Sequence, residues 1–299
     1  MKDLSSKAEQ RLSYTLLVLP AVLFYFSVMA FPTVFSVVLS LTNYNGGKIF
    51  GNPEIGFAGM VSYLKTFKDE YFYLALKNNM YIVGVSVFGQ IPLGFALAYI
   101  LSRGLVRGCD FFQSMVYLPN VISTVVIGIL FQSFFLNNNS VYMEIVRFFN
   151  PAAEYTLSSN PMLPILIVIL WMYTGMYVII FLANLQKIDT SIIEATKIDG
   201  ANEFQSLLYI ILPALSGVLV TSAILAISGS LKSFDLIYVM TQGGPARRTN
   251  VLSIYMYDKA FKGAPNYPLA NAISTIMVAI SFILIAITKV VEKRFGGKE

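Results

Sequence analysis

The sequence predicts an all-α membrane protein with six spanning helices, and three observations carry that prediction. The chain of 299 residues is 56% hydrophobic and only 12% charged, about half the charged share of a soluble domain. Its Asp, Glu, Lys and Arg leave six long gaps, at 12–47, 78–102, 111–143, 155–186, 204–231 and 263–288. Each gap exceeds the roughly 20 apolar residues that a helix needs to cross a hydrocarbon core of about 30 Å. None alternates as a barrel strand would. Five or six apolar helices of this length do not fit inside one soluble domain.

Composition also excludes chemistry. The chain has no histidine and a single cysteine, Cys109. Histidine acid–base catalysis, Ser–His triads, an intrachain disulfide and thiolate metal clusters are therefore ruled out.

The spans centre near 15–40, 80–101, 113–135, 163–183, 208–228 and 270–288. The first follows Lys2, Lys7 and Arg11, but its apolar run is longer than the roughly 7–15 residues of a signal-peptide core. It reads as a retained helix interrupted by Pro20 and Pro32. Pro92, Pro119 and Pro164 recur inside later spans, where neighbouring helices can re-satisfy freed carbonyls; bent helices around a path are expected. Tyr63, Phe67, Tyr71, Phe72 and Tyr73 suggest an interfacial aromatic helix before the second span.

Orientation follows from the basic residues. With both termini on one side, segments 1–13, 102–110, 184–206 and 289–299 hold 11 Lys and Arg in 56 residues. The opposite segments, 42–77, 136–160 and 229–271, hold 10 in a stretch nearly twice as long. Both termini are therefore expected to be cytoplasmic.

Segment 184–206 breaks the pattern, with Lys187 and Lys197 against Asp189, Glu194, Asp199 and Glu203. Ser191-x-x-Glu194 matches a capping box, with Thr190 as a second possible cap, so a short helix should begin there. Asp199-Gly200 supplies a turn, and Ala201 to Leu208 can form a second short helix. Ile192, Ile193 and Ile198, then Phe204, Leu207 and Leu208, are the expected apolar faces. Gly200 and Ala201 sit at the bend, where missing bulk admits a foreign surface.

A solute path is drawn from polar and aromatic residues within or next to the spans. Asn120, Trp171, Tyr173, Tyr177, Ser230 and Ser233 are the candidates, because rings stack on sugars and amides or hydroxyls bond to them. Gln90 and Thr124 belong to the same palette. Lys232 and Asp235 are a local pair or line the vestibule. No charge lies within the six gaps to pair with an ionic solute. For each single residue, helix–helix hydrogen bonding is the plainer role.

Several motifs carry a family resemblance. Glu194-Ala195-Thr196-Lys197-Ile198-Asp199-Gly200-Ala201, followed by Ile210-Ile211-Leu212-Pro213, resembles the signature loop of binding-protein-dependent ABC importer permeases. Thr196 stands where a second alanine is usual, and Leu207 where a phenylalanine is common. Tyr117-Leu118-Pro119-Asn120-Val121-Ile122-Ser123 and Phe181-Leu182-Ala183-Asn184-Leu185-Gln186 resemble further family segments. Phe234-Asp235-Leu236-Ile237-Tyr238-Val239-Met240-Thr241-Gln242-Gly243-Gly244-Pro245 resembles an element of the carbohydrate branch, which takes up maltose, lactose and glycerol phosphate.

The resemblance implies a single permease domain over 1–299, with the type I importer fold, a coupling loop at 187–207 and an external loop at 229–269. By that match Glu194 and Ala195 contact a separate ATPase, Asp199 shapes the loop, and Gly200 and Ala201 allow close docking. Gly243, Gly244 and Pro245 lie in a loop facing an extracytoplasmic solute-binding protein, where Arg247 and Arg248 meet an acidic surface or remain solvated. A second permease chain, two ATPase subunits and the lipid bilayer are the other implied partners, in a bacterial inner membrane; no nucleic acid is expected. The chain itself carries no cofactor, since ATP and Mg²⁺ belong to the partner ATPase. Gly47-Lys48 lacks the phosphate-loop pattern, and so does the Gly297-Lys298 near the end. Permeases for amino acids or phosphate, and an ATP-independent secondary transporter, are the alternatives.

Overall fold

The computed structural model describes residues 2–49, 51–53, 55–104, 107–135, 140–149 and 161–295. Most of the predicted external loop 136–160, and residues 296–299 of the basic C-terminal segment, lie outside these. The described residues are helical, with one isolated antiparallel bridge between Thr42 and Phe57. By compactness the chain divides into two units, Met1–Lys68 with Met256–Ile276, and Asp69–Tyr255 with Met277–Glu299.

In the first unit, helices α1 (Lys2–Tyr25) and α2 (Phe31–Ser40) follow one another through a π-turn, Phe26–Ala30. Their side chains from Leu12 to Val38 are mostly exposed, a surface suited to lipid. Polar bonds hold the rest of the unit. The Ser36 hydroxyl donates to Asn271 Oδ1 at 2.6 Å, and Ser40 and Tyr63 share a hydrogen bond of 2.7 Å. Tyr63 lies on α3 (Val61–Lys68).

The second unit is built around one helix. Downstream of α4 (Glu70–Val85), α5 (Ile91–Ser102), α6 (Cys109–Val121), α7 (Thr124–Phe135) and α8 (Val141–Phe149) comes α9 (Met162–Leu185). Buried residues run the length of α9, from Ile165 and Val168 to Val178 and Phe181. Close approach makes this possible. A Cβ on Gly94 of α5 would sit 2.6 Å from the Tyr177 Cβ of α9, and one on Gly175 of α9 would sit 2.3 Å from the Val116 carbonyl oxygen of α6. A Cβ on Gly128 of α7 would meet a Val239 methyl at 2.8 Å, on α14 (Asp235–Thr241). Lipid tails are as apolar as leucine, so helices in a bilayer associate through such close packing rather than through water exclusion.

Four of the predicted spans correspond to single long apolar helices, Glu9–Ser40, Glu70–Ser102, Met162–Leu185 and Tyr267–Lys293. Each of the other two is a bent pair of helices. The third is two helices, Cys109–Val121 and Thr124–Phe135, bent by 91°. The backbone turns extended at Ile122, just after Pro119 removes a helix donor. The fifth is Glu203–Ala214 followed by Ser216–Leu231, bent by 68° at Leu215, after Pro213.

The prolines do not all act as expected. Pro20 lies inside an uninterrupted α1, and Pro164 in the first turn of α9, where a missing N–H costs nothing. Pro32, Pro92 and Pro213 each follow a π-turn, at Phe26–Ala30, Ser86–Gln90 and Leu207–Ile211. In each turn the residue before the proline bonds five back: Phe31 N–H to Phe26, Ile91 to Ser86, Leu212 to Leu207. Widening the turn draws the carbonyl four residues back away from the pyrrolidine ring. The aromatic stretch is also two elements rather than one interfacial helix. Tyr63 and Phe67 lie on α3, while Tyr71, Phe72 and Tyr73 open α4, with Phe72 1% exposed in the core.

Replacing Gly175 by Val should lower the stability of the purified chain by about 1–3 kcal/mol, the cost of overpacking. Gly217→Ala, on a helix with nothing within 4 Å of the added Cβ, should be neutral or stabilising. Thermal melts of both variants in one detergent check this; equal melting temperatures would contradict the close-packing account.

Candidate functional site: a polar cavity and an exposed helix pair

The second unit encloses a cavity of about 320 Å³. Ser86 and Gln90 come from the π-turn, Thr124 from the start of α7, and Tyr173, Met176 and Tyr177 from α9. α13 (Ser216–Leu231) and the residues after it add Gly229, Ser230, Lys232, Ser233, Phe234 and Asp235. Tyr173 is hydrogen-bonded to Thr124 and lies within electrostatic reach of Asp235. Gln90 is 2% exposed, and its amide donates across to the Ile169 carbonyl of α9 at 2.8 Å.

Of the predicted path residues, Tyr173, Tyr177, Ser230 and Ser233 meet at this cavity, with Gln90, Thr124, Lys232 and Asp235 beside them. Asn120 and Trp171 are not among its lining. Asn120 precedes the bend between α6 and α7, and Trp171 stands half-exposed with its ring 5.4 Å from Phe131. Ser230 is already occupied, its hydroxyl donating 2.7 Å to Ala226 O and lying 3.0 Å from the Ser86 hydroxyl.

A second polar set fixes the cavity's wall. Asn79 is fully buried on α4, donates to the Ser230 carbonyl at 3.0 Å and accepts from the Leu252 N–H at 2.8 Å. Asn78 donates to the Arg248 and Asn250 carbonyls, both at 2.8 Å. Ser253 donates to the Ser233 carbonyl. Ser86, Asn78 and Asn79 were not among the predicted site residues. The signal was there: Asn79, Ser86 and Gln90 recur at seven and four residues, one helix face.

The predicted external loop is largely structured. Residues 235–241 form α14, whose Leu236, Ile237 and Met240 enter the core, and Leu252–Phe261 form α15. Between them Gly243 is buried, Gly244 half-buried and Pro245 exposed. Thr249 holds this turn by donating to the Gly244 carbonyl at 2.8 Å and sharing a 2.7 Å bond with Thr241. The Arg247 guanidinium lies over the Tyr71 ring, 4.2 Å from its centroid. Tyr255 donates to Asp69 at 2.5 Å; burial, then the Asp69 carboxylate, push its phenol well above the ordinary range.

The acidic segment folds as a helix pair, with corrected caps. α10 (Thr190–Ile198) is capped by Asp189, which accepts from the Ser191 N–H at 2.9 Å, rather than by Ser191 or Thr190. These bonds from Ser191 hold the Asp189 carboxyl below its usual range. The helix closes in a Schellman turn: the Ala201 N–H reaches Thr196 O at 3.0 Å, the Gly200 N–H reaches Lys197 O at 3.2 Å, and Gly200 has φ +81°. α11 (Glu203–Ser206) starts at a true capping box, Asn202 with Gln205, two residues later than predicted.

The apolar faces are turned the other way from a packed hairpin. Thr196 and Ser206 are buried and share a 3.2 Å hydrogen bond, while Ile198 is 85% and Phe204 67% exposed. Ile192, Leu208 and Tyr209 are exposed beside them. Glu194, Ala195, Asp199 and Gly200 are exposed and Ala201 half-buried. Asp199, Gly200 and Ala201 edge an open hollow with Gln205, Tyr209 and Ile210.

Residues 90–297 match the family described as binding-protein-dependent transport system inner membrane component. The chain belongs to that family. It is therefore a membrane permease component rather than an enzyme. The permease is 33% identical to the lactose transport system permease protein LacF of Rhizobium radiobacter over 90% of each chain. It is 29% identical to the multiple sugar-binding transport system permease protein MsmF of Streptococcus mutans, over 94% of this chain and 92% of that one. A crystal structure of a bacterial ABC transporter importing the acidic polysaccharide alginate has the same fold, with TM-score 0.80 and 21% identity over 99% of this permease and all of that chain.

Gly200→Ala should cost about 1–2 kcal/mol through its left-handed backbone and speed amide exchange over residues 195–201 without unfolding the spans. Acid gives a second check at the other end of α10. Because Asp189 titrates below its ordinary value of 3.8, its cap is fully present above that value and is lost as pH falls through the lowered one. Asp189→Asn should keep α10 protected from exchange at acid pH.

Proposed function

We propose that the permease forms half of the translocation pathway of a carbohydrate ABC importer and takes a neutral sugar or oligosaccharide through the cavity. The cavity supports this most directly: two tyrosines, three serines, Thr124 and Gln90 face one space, the mixture of rings, hydroxyls and amide that binds a sugar. Its volume lies near the small end of ligand sites, fitting one or two sugar rings. The named substrates of the lactose and multiple-sugar relatives point the same way.

The exposed face of α10 and α11 is the docking surface for a separate ATPase, with Glu194, Ala195, Asp199, Gly200 and Ala201 at the contact. Two such ATPases, holding ATP and Mg²⁺, drive the rigid-body alternation of helix bundles. A second permease chain completes the path. The turn at Gly243, Gly244 and Pro245 faces an extracytoplasmic binding protein, a class of partner that the family description names and that the alginate transporter carries in its own complex. Both termini lie on the cytoplasmic side of the inner membrane.

Uptake by proteoliposomes holding the whole complex, offered labelled lactose, maltose, glutamine or phosphate, tests the reading. A disaccharide should accumulate on adding ATP, and Tyr173→Ala should cut its uptake about tenfold while Trp171→Phe leaves it unchanged. Accumulation of glutamine or phosphate instead would overturn the carbohydrate assignment.

A further inference from the structure

We propose that Tyr99, Arg103 and Glu203 form a strut that carries movement of the α10–α11 pair to the cavity, which makes Arg103 and Glu203 positioning residues for alternation. The proposal rests on the coupling role given to that pair above.

Tyr99 and Arg103 lie one turn apart at the C-terminal end of α5, and Glu203 opens α11. Arg103 Nη2 donates to the Tyr99 hydroxyl at 3.1 Å, and that hydroxyl donates to Glu203 Oε1 at 3.3 Å. Arg103 Nε stands 3.7 Å from the same oxygen, and the guanidinium lies 5.1 Å from the Tyr99 ring centroid. Behind Tyr99 the rings continue inward, to Phe95 at 6.3 Å and from there to the buried Phe181 of α9 at 5.5 Å. The pair's other side-chain bonds close on themselves, Thr196 with Ser206 and Asn202 with Gln205. Among the described residues the strut is the one polar link from the pair to another span.

What lies at the far end gives the strut its purpose. α5 runs unbroken from the strut for about 18 Å to the π-turn whose Ser86 and Gln90 line the cavity. It cannot slide independently, because Gly94 leaves no room against Tyr177. A displacement of Glu203 therefore reaches both the π-turn and the α9 tyrosines. Stability does not explain the contact: the Glu203 side chain is 68% exposed, and such pairs contribute little to folding. Variants of the strut should consequently fold.

The test uses the complete complex, with Cys109→Ser and Ser233→Cys providing a reporter at the cavity. Labelling by a membrane-impermeant maleimide is timed with and without ATP plus vanadate. The reporter chain should change its labelling rate about fivefold. Arg103→Glu should shrink that change below about twofold while capturing the same amount of ATPase, and adding Glu203→Arg should restore it. A full change in the Arg103→Glu chain would overturn the strut, and so would loss of ATPase capture, which would make Arg103 a docking residue. If the reporter chain captures no ATPase, or its labelling ignores ATP, the coupling role itself fails and takes the strut with it.

Discussion

Backbone contact at three glycines is the constraint on which this protein depends. Gly94, Gly175 and Gly128 bring α5, α6 and α14 within a side chain's width of their partners, two of them on α9. In a bilayer no water is expelled when apolar helices meet, so dispersion at short range must hold them. α9 can then be apolar on every side and still occupy one position. The cavity is bounded by α9, and its two tyrosines keep their places because the helices around them cannot spread.

The second organising device is polar. Asn78 and Asn79, both buried, bond to backbone carbonyls and an N–H from residues 230 to 252. These groups sit at the C-terminal end of α13, in the connection before α15 and at the first residue of α15, where helix bonding runs out, and buried backbone groups without partners cost about 1–3 kcal/mol each. The amides thereby allow the chain to turn back, insert α14 into the core and still line the cavity with residues 232–236.

How much of this was legible depends on the scale of the signal. Span number came from charge gaps, because charge avoidance extends over whole helices. Pro119 marked a bend in the third span but not its sharpness, since the apolar run continues through Ile122; the bend at Leu215 was not legible, because Pro213 read only as part of a motif. α14 was hidden for the opposite reason: a seven-residue helix is too short to show a period, and Asp235 and Thr241 made it look like loop. The acidic pair was visible as a turn and two helices, but its caps were misplaced. Asp189 and Asn202 reach their N–H partners in preference to Ser191. Which face would turn inward was not legible: Thr196 and Ser206 fill the seam, while Ile198 and Phe204 stay exposed. Four of the six path residues converge; Asn120 and Trp171 do not, as residue type says nothing about which way a helix is rotated.

The polar seam between α10 and α11 bears on the cell's housekeeping, because it leaves the apolar side chains outside. A newly made copy carries Ile192, Ile198, Phe204, Leu208 and Tyr209 exposed together, uncovered among the described residues. Exposed apolar clusters of this kind are what chaperones retain and proteases clear. Under the proposed docking of an ATPase on this patch, copies made in excess of that subunit should be short-lived, and the abundance of the permease should follow its supply even when its own gene is strongly expressed.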